Sequence, residues 1–208
     1  MYFTDTAIRY AKPTGLLRAH TAPAIHSLAP GAPMGKNCFC FRGQEPQIAP
    51  SAFIAEGARL VGDVRIGENA SIWFNAVLRG DISPVIVGDG SNVQDNAVLH
   101  VDREKGCVVG KNVLIGHAAI CHACTIGDGA LIGMGAIVLS GAVIGEEAFI
   151  AAGALIKENA VIPPRTLWAG NPAVLIRELG PGVLARIRSG TELYTELAKE
   201  FKTPSDDQ

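Results

Sequence analysis

Three histidines, His100, His117 and His122, fall within 23 residues of one another. A neutral imidazole is a good zinc ligand, and three of them leave one of zinc's four positions open. Water in that position has its pKa lowered to about 7, which supplies hydroxide at neutral pH. The plainer reading is that these histidines cap turns or bridge subunits by hydrogen bonds. Arg79, Asp81, Gln94 and Asp95 stand just upstream and belong to the same argument. His20 and His26 lie far from this group and are assigned no role. What decides between the readings is the element that positions the three rings.

That element is a repeat. From Ile54 a branched aliphatic recurs every six residues, through Leu60, Ile66, Ile72 and Leu78. After a short insertion near Ser83-Pro84 it resumes at Val87, Val93 and Leu99, and after a second insertion, Asp102 to Val108, at Val109, Ile115 and Cys121. One turn short by a residue leads on to Ile126, Ile132, Val138, Ile144, Ile150, Ile156 and Ile162. Of these 18 hexads, 17 begin with Ile, Leu or Val. The fifth position is usually Ala, and Gly often follows the aliphatic. A period of six fits neither a helix nor a lone hairpin. It fits one flat side of a triangular parallel β-helix, with the aliphatic pointing inward and glycine easing the corner. Three sides per coil predict an all-β, left-handed parallel β-helix of about six coils over residues 46–173.

With the sides lettered A, B and C from Ile54, Leu78, Leu99 and Cys121 each open side B. Arg79, His100 and His122 are then each the second residue of that side, stacked about 4.8 Å apart. His100 and His122 can share a metal ion. Asp95 and His117 are each the third residue of side A and form a second column. Along an extended side His117 and His122 stand roughly 16 Å apart, whereas zinc–nitrogen bonds are about 2.0–2.1 Å. One chain cannot close that site, but a neighbouring chain in a threefold ring can. The pattern predicts a homotrimer with three metal sites, each between subunits. Arg79, paired with Asp81 in its own chain and with Asp95 across the interface, would lock the trimer. Gln94 is placed to hydrogen-bond the hydroxide.

The rest of the sequence narrows the class. The chain has 208 residues, 48% of them hydrophobic and 18% charged, which excludes a mainly disordered protein. A net charge of −2 gives no basic field for nucleic acid or an anionic membrane surface. The longest uncharged run, Gly129 to Gly145, is broken by glycine and serine and belongs to the repeat, so no membrane span is expected. The five cysteines are an odd number without a secretory signal, which argues against a disulfide framework. Cys121 takes an inward position and reads as a small hydrophobe, Cys124 is a weak third choice as ligand, and Cys38 and Cys40 read as incidental. Residues 1–45 show no period and are taken as an irregular extension. Its five basic and two acidic residues allow a mitochondrial transit peptide as the alternative to a cytoplasmic protein. After Gly170-Asn171-Pro172, residues 174–208 carry Leu184, Ile187, Tyr194, Leu197 and Phe201 at helical spacing, which predicts a covering α-helix.

The stretch Ser71-Ile72-Trp73-Phe74-Asn75-Ala76-Val77-Leu78-Arg79-Gly80-Asp81 resembles the gamma-class carbonic anhydrases and their close relatives. So do Asn92 to His100 and Ile115-Gly116-His117 followed by His122. The resemblance runs from about Gln47 to Ala173. It implies a left-handed β-helix trimer with a C-terminal helix, and zinc (or iron or cobalt) on His100 and His122 of one subunit and His117 of the next. It also implies site-forming roles for Arg79, Asp81 and Asp95 and a role for Gln94 beside the hydroxide. The activity implied is reversible hydration of CO2 to bicarbonate. Two features depart from the family's best-studied members: Ile82 stands where they carry an acidic residue, and the Val101–Cys107 loop is short, with Glu104 its only glutamate. A metal-dependent thioesterase, an acyltransferase on the same prism and a non-catalytic metal-binding subunit are the alternatives.

Overall fold

The computed structural model describes residues 36–203. Readings that fall on residues 1–35 and 204–208, including the leader as a transit peptide and His20 and His26, lie outside them.

Short strands stack in three parallel ladders around a dry interior. Face A runs Phe53–Ile54, Ser71–Ile72, Asn92–Val93, Leu114–Ile115, Leu131–Ile132, Phe149–Ile150 and Thr166–Gly170, and ends on the antiparallel strand Ala173–Glu178. Faces B and C share one sheet, because the long strands Arg59–Ile66 and Val77–Val87 continue across the corner between them. The inward residues are the hexad aliphatics. Leu60, Ile66, Ile72, Leu78, Leu99, Ile115, Ile126 and Ile132 are fully buried, and the alanines of the fifth position pack beside them. Each such aliphatic contributes about 1.5–3 kcal/mol on burial.

The solenoid has about seven turns, one more than the hexads alone predict. The extra rungs come from both ends. Cys38–Phe39 pairs in parallel with Leu60–Val61, and Gln47–Ile48 with Arg65–Ile66. At the far end Trp168 stacks below Ile150. Cys38 and Trp168 occupy inward positions without being aliphatic, so the aliphatic period passes over them. Strand order therefore begins inside the region read as irregular.

The corners explain the glycines. A Cβ at Gly67, Gly88, Gly110, Gly127 or Gly145, which follow the inward residues Ile66, Val87, Val109, Ile126 and Ile144 of face C, would stand 2.3–2.7 Å from an atom of the adjacent coil. Only hydrogen fits there. Within the turns Asn69, Asn75, Asn96, Asn112 and Asn159 take positive φ, which asparagine tolerates better than most residues.

One helix, α1 (Pro181–Lys202), runs back along face A. Proline at its start suits a position whose N–H needs no helical partner. Its seat is aromatic: Trp73 meets Phe53 and Tyr194 at 5.3 Å and Phe201 at 5.5 Å between ring centroids. Lys202 Nζ, near its end, donates to the carbonyls of Pro50, Ser51 and Ala52 at 3.1–3.3 Å and ties the helix to the first coil. α1 thus covers face A of its own prism. Among the described residues no helix is long and apolar enough to cross a membrane.

Candidate metal centre

Strand register builds the site from two columns. Arg79 pairs with His100, and His100 with His122, on successive rungs of face B. The side chains leave the prism because the neighbours Leu78, Leu99 and Cys121 point inward. His100 Nδ1 lies 3.2 Å from His122 Nε2. The other nitrogen of each ring is held: His100 Nε2 donates to Asp81 Oδ1 at 3.2 Å, and His122 Nδ1 lies 2.9 Å from Ser140 Oγ. Asp81 in turn accepts from Arg79 through its second oxygen.

The electrostatics suit a neutral ligand. Burial pushes the His100 imidazole below its ordinary pKa, against the pull of Asp81, and the charge of Arg79 adds to the lowering. For Asp81 burial opposes ionisation, yet the hydrogen bonds from Arg79 and His100 prevail and keep the carboxyl below the usual range. His100 therefore presents an uncharged ring beside an ionised carboxylate.

The second column stands apart. Ile115 pairs with Val93, which sets His117 beside Asp95 at the end of face A. His117 Nδ1 donates to Asp95 Oδ2 at 2.7 Å, and Tyr194 Oη of α1 stands 3.4 Å from His117 Nε2. Asp95 thus orients His117 in its own chain, besides the cross-interface role with Arg79 that its column suggested. Among the described residues of one chain, no group of three or more His, Cys, Asp or Glu side chains is disposed to hold a metal ion. Gln94 is buried, and its amide nitrogen donates to Asn92 Oδ1 at 3.1 Å.

Two hexapeptide-repeat families match the chain: the bacterial transferase hexapeptide (six repeats) over residues 123–158, and the hexapeptide repeat of succinyl-transferase over residues 104–139. A carbonic anhydrase of Geobacillus kaustophilus is 45% identical over 162 residues, covering 78% of this chain and 89% of that protein. The mitochondrial gamma carbonic anhydrase 1 of Arabidopsis thaliana is 42% identical over 160 residues, 74% of this chain and 58% of that one. The chain belongs to the gamma-class carbonic anhydrase-like family. The solved structure of a hexapeptide transferase family protein from Anaplasma phagocytophilum shares the fold with a TM-score of 0.76 at 41% identity, over 79% of this chain and 97% of that one.

In this member of the family, the structure adds groups that sequence reasoning passed over. Ser140 lies one rung beyond His122 but at the third position of its side, outside the column. Tyr194 was read only as part of a helical pattern. Asn92 holds Gln94, and its own amide nitrogen is buried with no partner. Cys124 lies fully inside the prism with Cys107 and Cys121. A hydrogen bond to Cys124, then burial, push the Cys107 thiol well above its ordinary value.

Proposed function

We propose that this protein hydrates CO2 reversibly to bicarbonate at metal sites shared between the subunits of a homotrimer. One observation carries the reading: two imidazole nitrogens face each other at 3.2 Å with their rings held from behind. Zinc–nitrogen bonds of 2.0–2.1 Å at tetrahedral angles place ligand nitrogens about 3.3 Å apart. The pair therefore fits two corners of a zinc site. Its backing by a carboxylate and a hydroxyl is the usual support of metal-bound histidine.

The third ligand comes from the partner subunit's His117. With Nδ1 engaged by Asp95, that ring has Nε2 to offer. Iron or cobalt suits the same donor set. Trimer formation has a second support. The outward residues Val77, Val98, Ile120, Ile137 and Leu155 align rung by rung on face B beside the His100–His122 column. They are half-buried or exposed and α1 lies elsewhere. Such an apolar strip marks a protein contact.

Held by His100, His122 and the partner subunit's His117, zinc would supply a nucleophilic hydroxide at neutral pH. The chain's own groups do the rest. His100 and His122, held by Asp81 and Ser140, would orient the ion against the chain. Gln94, oriented by the bond from its amide nitrogen to Asn92 Oδ1, would use its amide oxygen to accept a hydrogen bond from the attacking oxygen and aim it at the carbon. Asp81 and Asp95 are committed to Arg79, His100 and His117, and neither is free to carry a proton away. External buffer takes that part.

Stopped-flow CO2 hydration on anaerobically purified protein, loaded separately with zinc and with iron, tests this. We expect turnover that rises with buffer concentration and is lost in His117→Ala. A metal-replete trimer with no hydration above background at high buffer would overturn it. Acyl-CoA turnover surviving complete metal removal would instead favour an acyltransferase.

A further inference from the structure

The two columns of the metal centre keep a constant spacing along the chain. His117 lies five residues before His122, and Asp95 lies five before His100. Toward the first coil, Phe74 lies five before Arg79 and Glu56 five before Val61. Val61, Arg79, His100 and His122 stand on successive rungs of face B. A closed threefold ring relates its subunits by rotation alone, so each coil meets the same coil of its neighbour. The trimer reading, on which this inference rests, therefore brings the partner subunit's Glu56 to the rung of Val61, two rungs from His100.

Arg59 stands on that rung, two residues before Val61 on the same outward side. Its guanidinium leans over the ring of Phe39, 5.9 Å from the centroid. Phe39 pairs with Val61 from the next rung out, so the charge of Arg59 lies over the end of the histidine column rather than over its own. Arg59 and Glu56 are both exposed, and among the described residues neither is paired with an opposite charge. Phe39 is 44% exposed, a large ring left at the surface directly beyond the half-buried Val61. We propose that this first coil is a second contact between subunits, in which Arg59 pairs with the partner subunit's Glu56. Phe39 and Val61 continue the apolar strip of face B and pack against the partner subunit's Phe74. A guanidinium stacked on an aromatic face keeps its fork free for a carboxylate, which a lysine would not match. The contact depends on the rung Cys38–Phe39. A chain beginning at the first hexad, Ile54, would keep Arg59 and Glu56 but lose the ring that directs the charge.

Sedimentation equilibrium on the full-length, zinc-loaded protein tests this. Glu56→Arg and Arg59→Glu each set like charges against one another at three interfaces. Each is expected to weaken association about fivefold per interface, roughly a hundredfold in the trimer dissociation constant. At about 1 M salt, where exposed charges are screened, the loss should shrink. The double variant, Glu56→Arg with Arg59→Glu, faces opposite charges again and is expected to recover most of the affinity. Phe39→Ser, at a position exposed in the single chain, is expected to weaken the trimer about tenfold or more. Circular dichroism shows whether each variant is folded. Wild-type affinity in any folded single variant, or a double variant no tighter than the singles, overturns the proposal. Wild-type protein that does not form a trimer overturns the trimer reading itself.

Discussion

Subunits carrying His117→Ala and subunits carrying His122→Ala, each inactive alone, are expected to regain CO2 hydration when unfolded and refolded together. The reason is geometric. His117 belongs to a column at the end of face A, with Asp95 and Tyr194 as its neighbours. His100 and His122 belong to a column on face B, with Asp81 and Ser140. In the proposed trimer, a site would use the face B pair of one chain and the face A ring of the next. A His117→Ala chain keeps an intact pair, and a His122→Ala chain keeps an intact third ligand. In random trimers from an equal mixture, about a quarter of the sites join the two intact halves around the closed ring. Activity and bound zinc should both return to about that fraction. Recovery of neither from correctly sized trimers would show that the ligands do not come from different subunits.

Gly88→Ala is expected to cost about 3 kcal/mol or more, although alanine is ordinarily the safest of substitutions. The backbone at Gly88 has no positive φ, so strain in the chain itself is not the issue. The cost comes from the next coil. The added Cβ would stand 2.5 Å from the carbonyl oxygen of Gly110 and 2.6 Å from its carbon. Those atoms belong to a backbone rung, not to the end of a flexible side chain. Gly110 N already donates to Ile126 O on the rung beyond, so it cannot retreat without breaking the ladder. Gly182→Ala is the control. Nothing lies within 4 Å of its Cβ position. It sits at the start of α1, where alanine gains up to about 1 kcal/mol of helix propensity. Denaturant unfolding of the two variants should move in opposite directions. Equal midpoints would mean that the corners are looser than the coil spacing implies.

The sequence showed a great deal of this fold because a narrow interior admits one kind of residue. Ile115, Ile132 and Ile150 repeat because each fills the same triangular space one coil further on. Where the interior residue changes type the period falls silent, and Cys38 and Trp168 mark rungs that aliphatic spacing does not reveal. The seat of α1 was not legible either. It depends on Phe53 and Trp73 turning outward on the same face, which lettered sides imply only once the aromatic cluster is seen.

In the site, equal positions on successive rungs placed His100 over His122, since register alone fixes that pair. Register does not fix where a side chain turns at the end of a side. Asp95 meets its own His117, a contact that the argument for Arg79 had passed over. Ser140 was missed because it reaches His122 from a different position of the next rung. Side-chain length bridges columns that backbone spacing keeps separate.

The most direct test of the shared centre is anomalous diffraction at the zinc absorption edge from crystals of the zinc-loaded protein. One peak per subunit is predicted, about 2.0–2.1 Å from His100 Nδ1 and His122 Nε2 of one chain and from Nε2 of the partner subunit's His117. A peak ligated by one chain alone, or no peak between His100 and His122, would contradict the account.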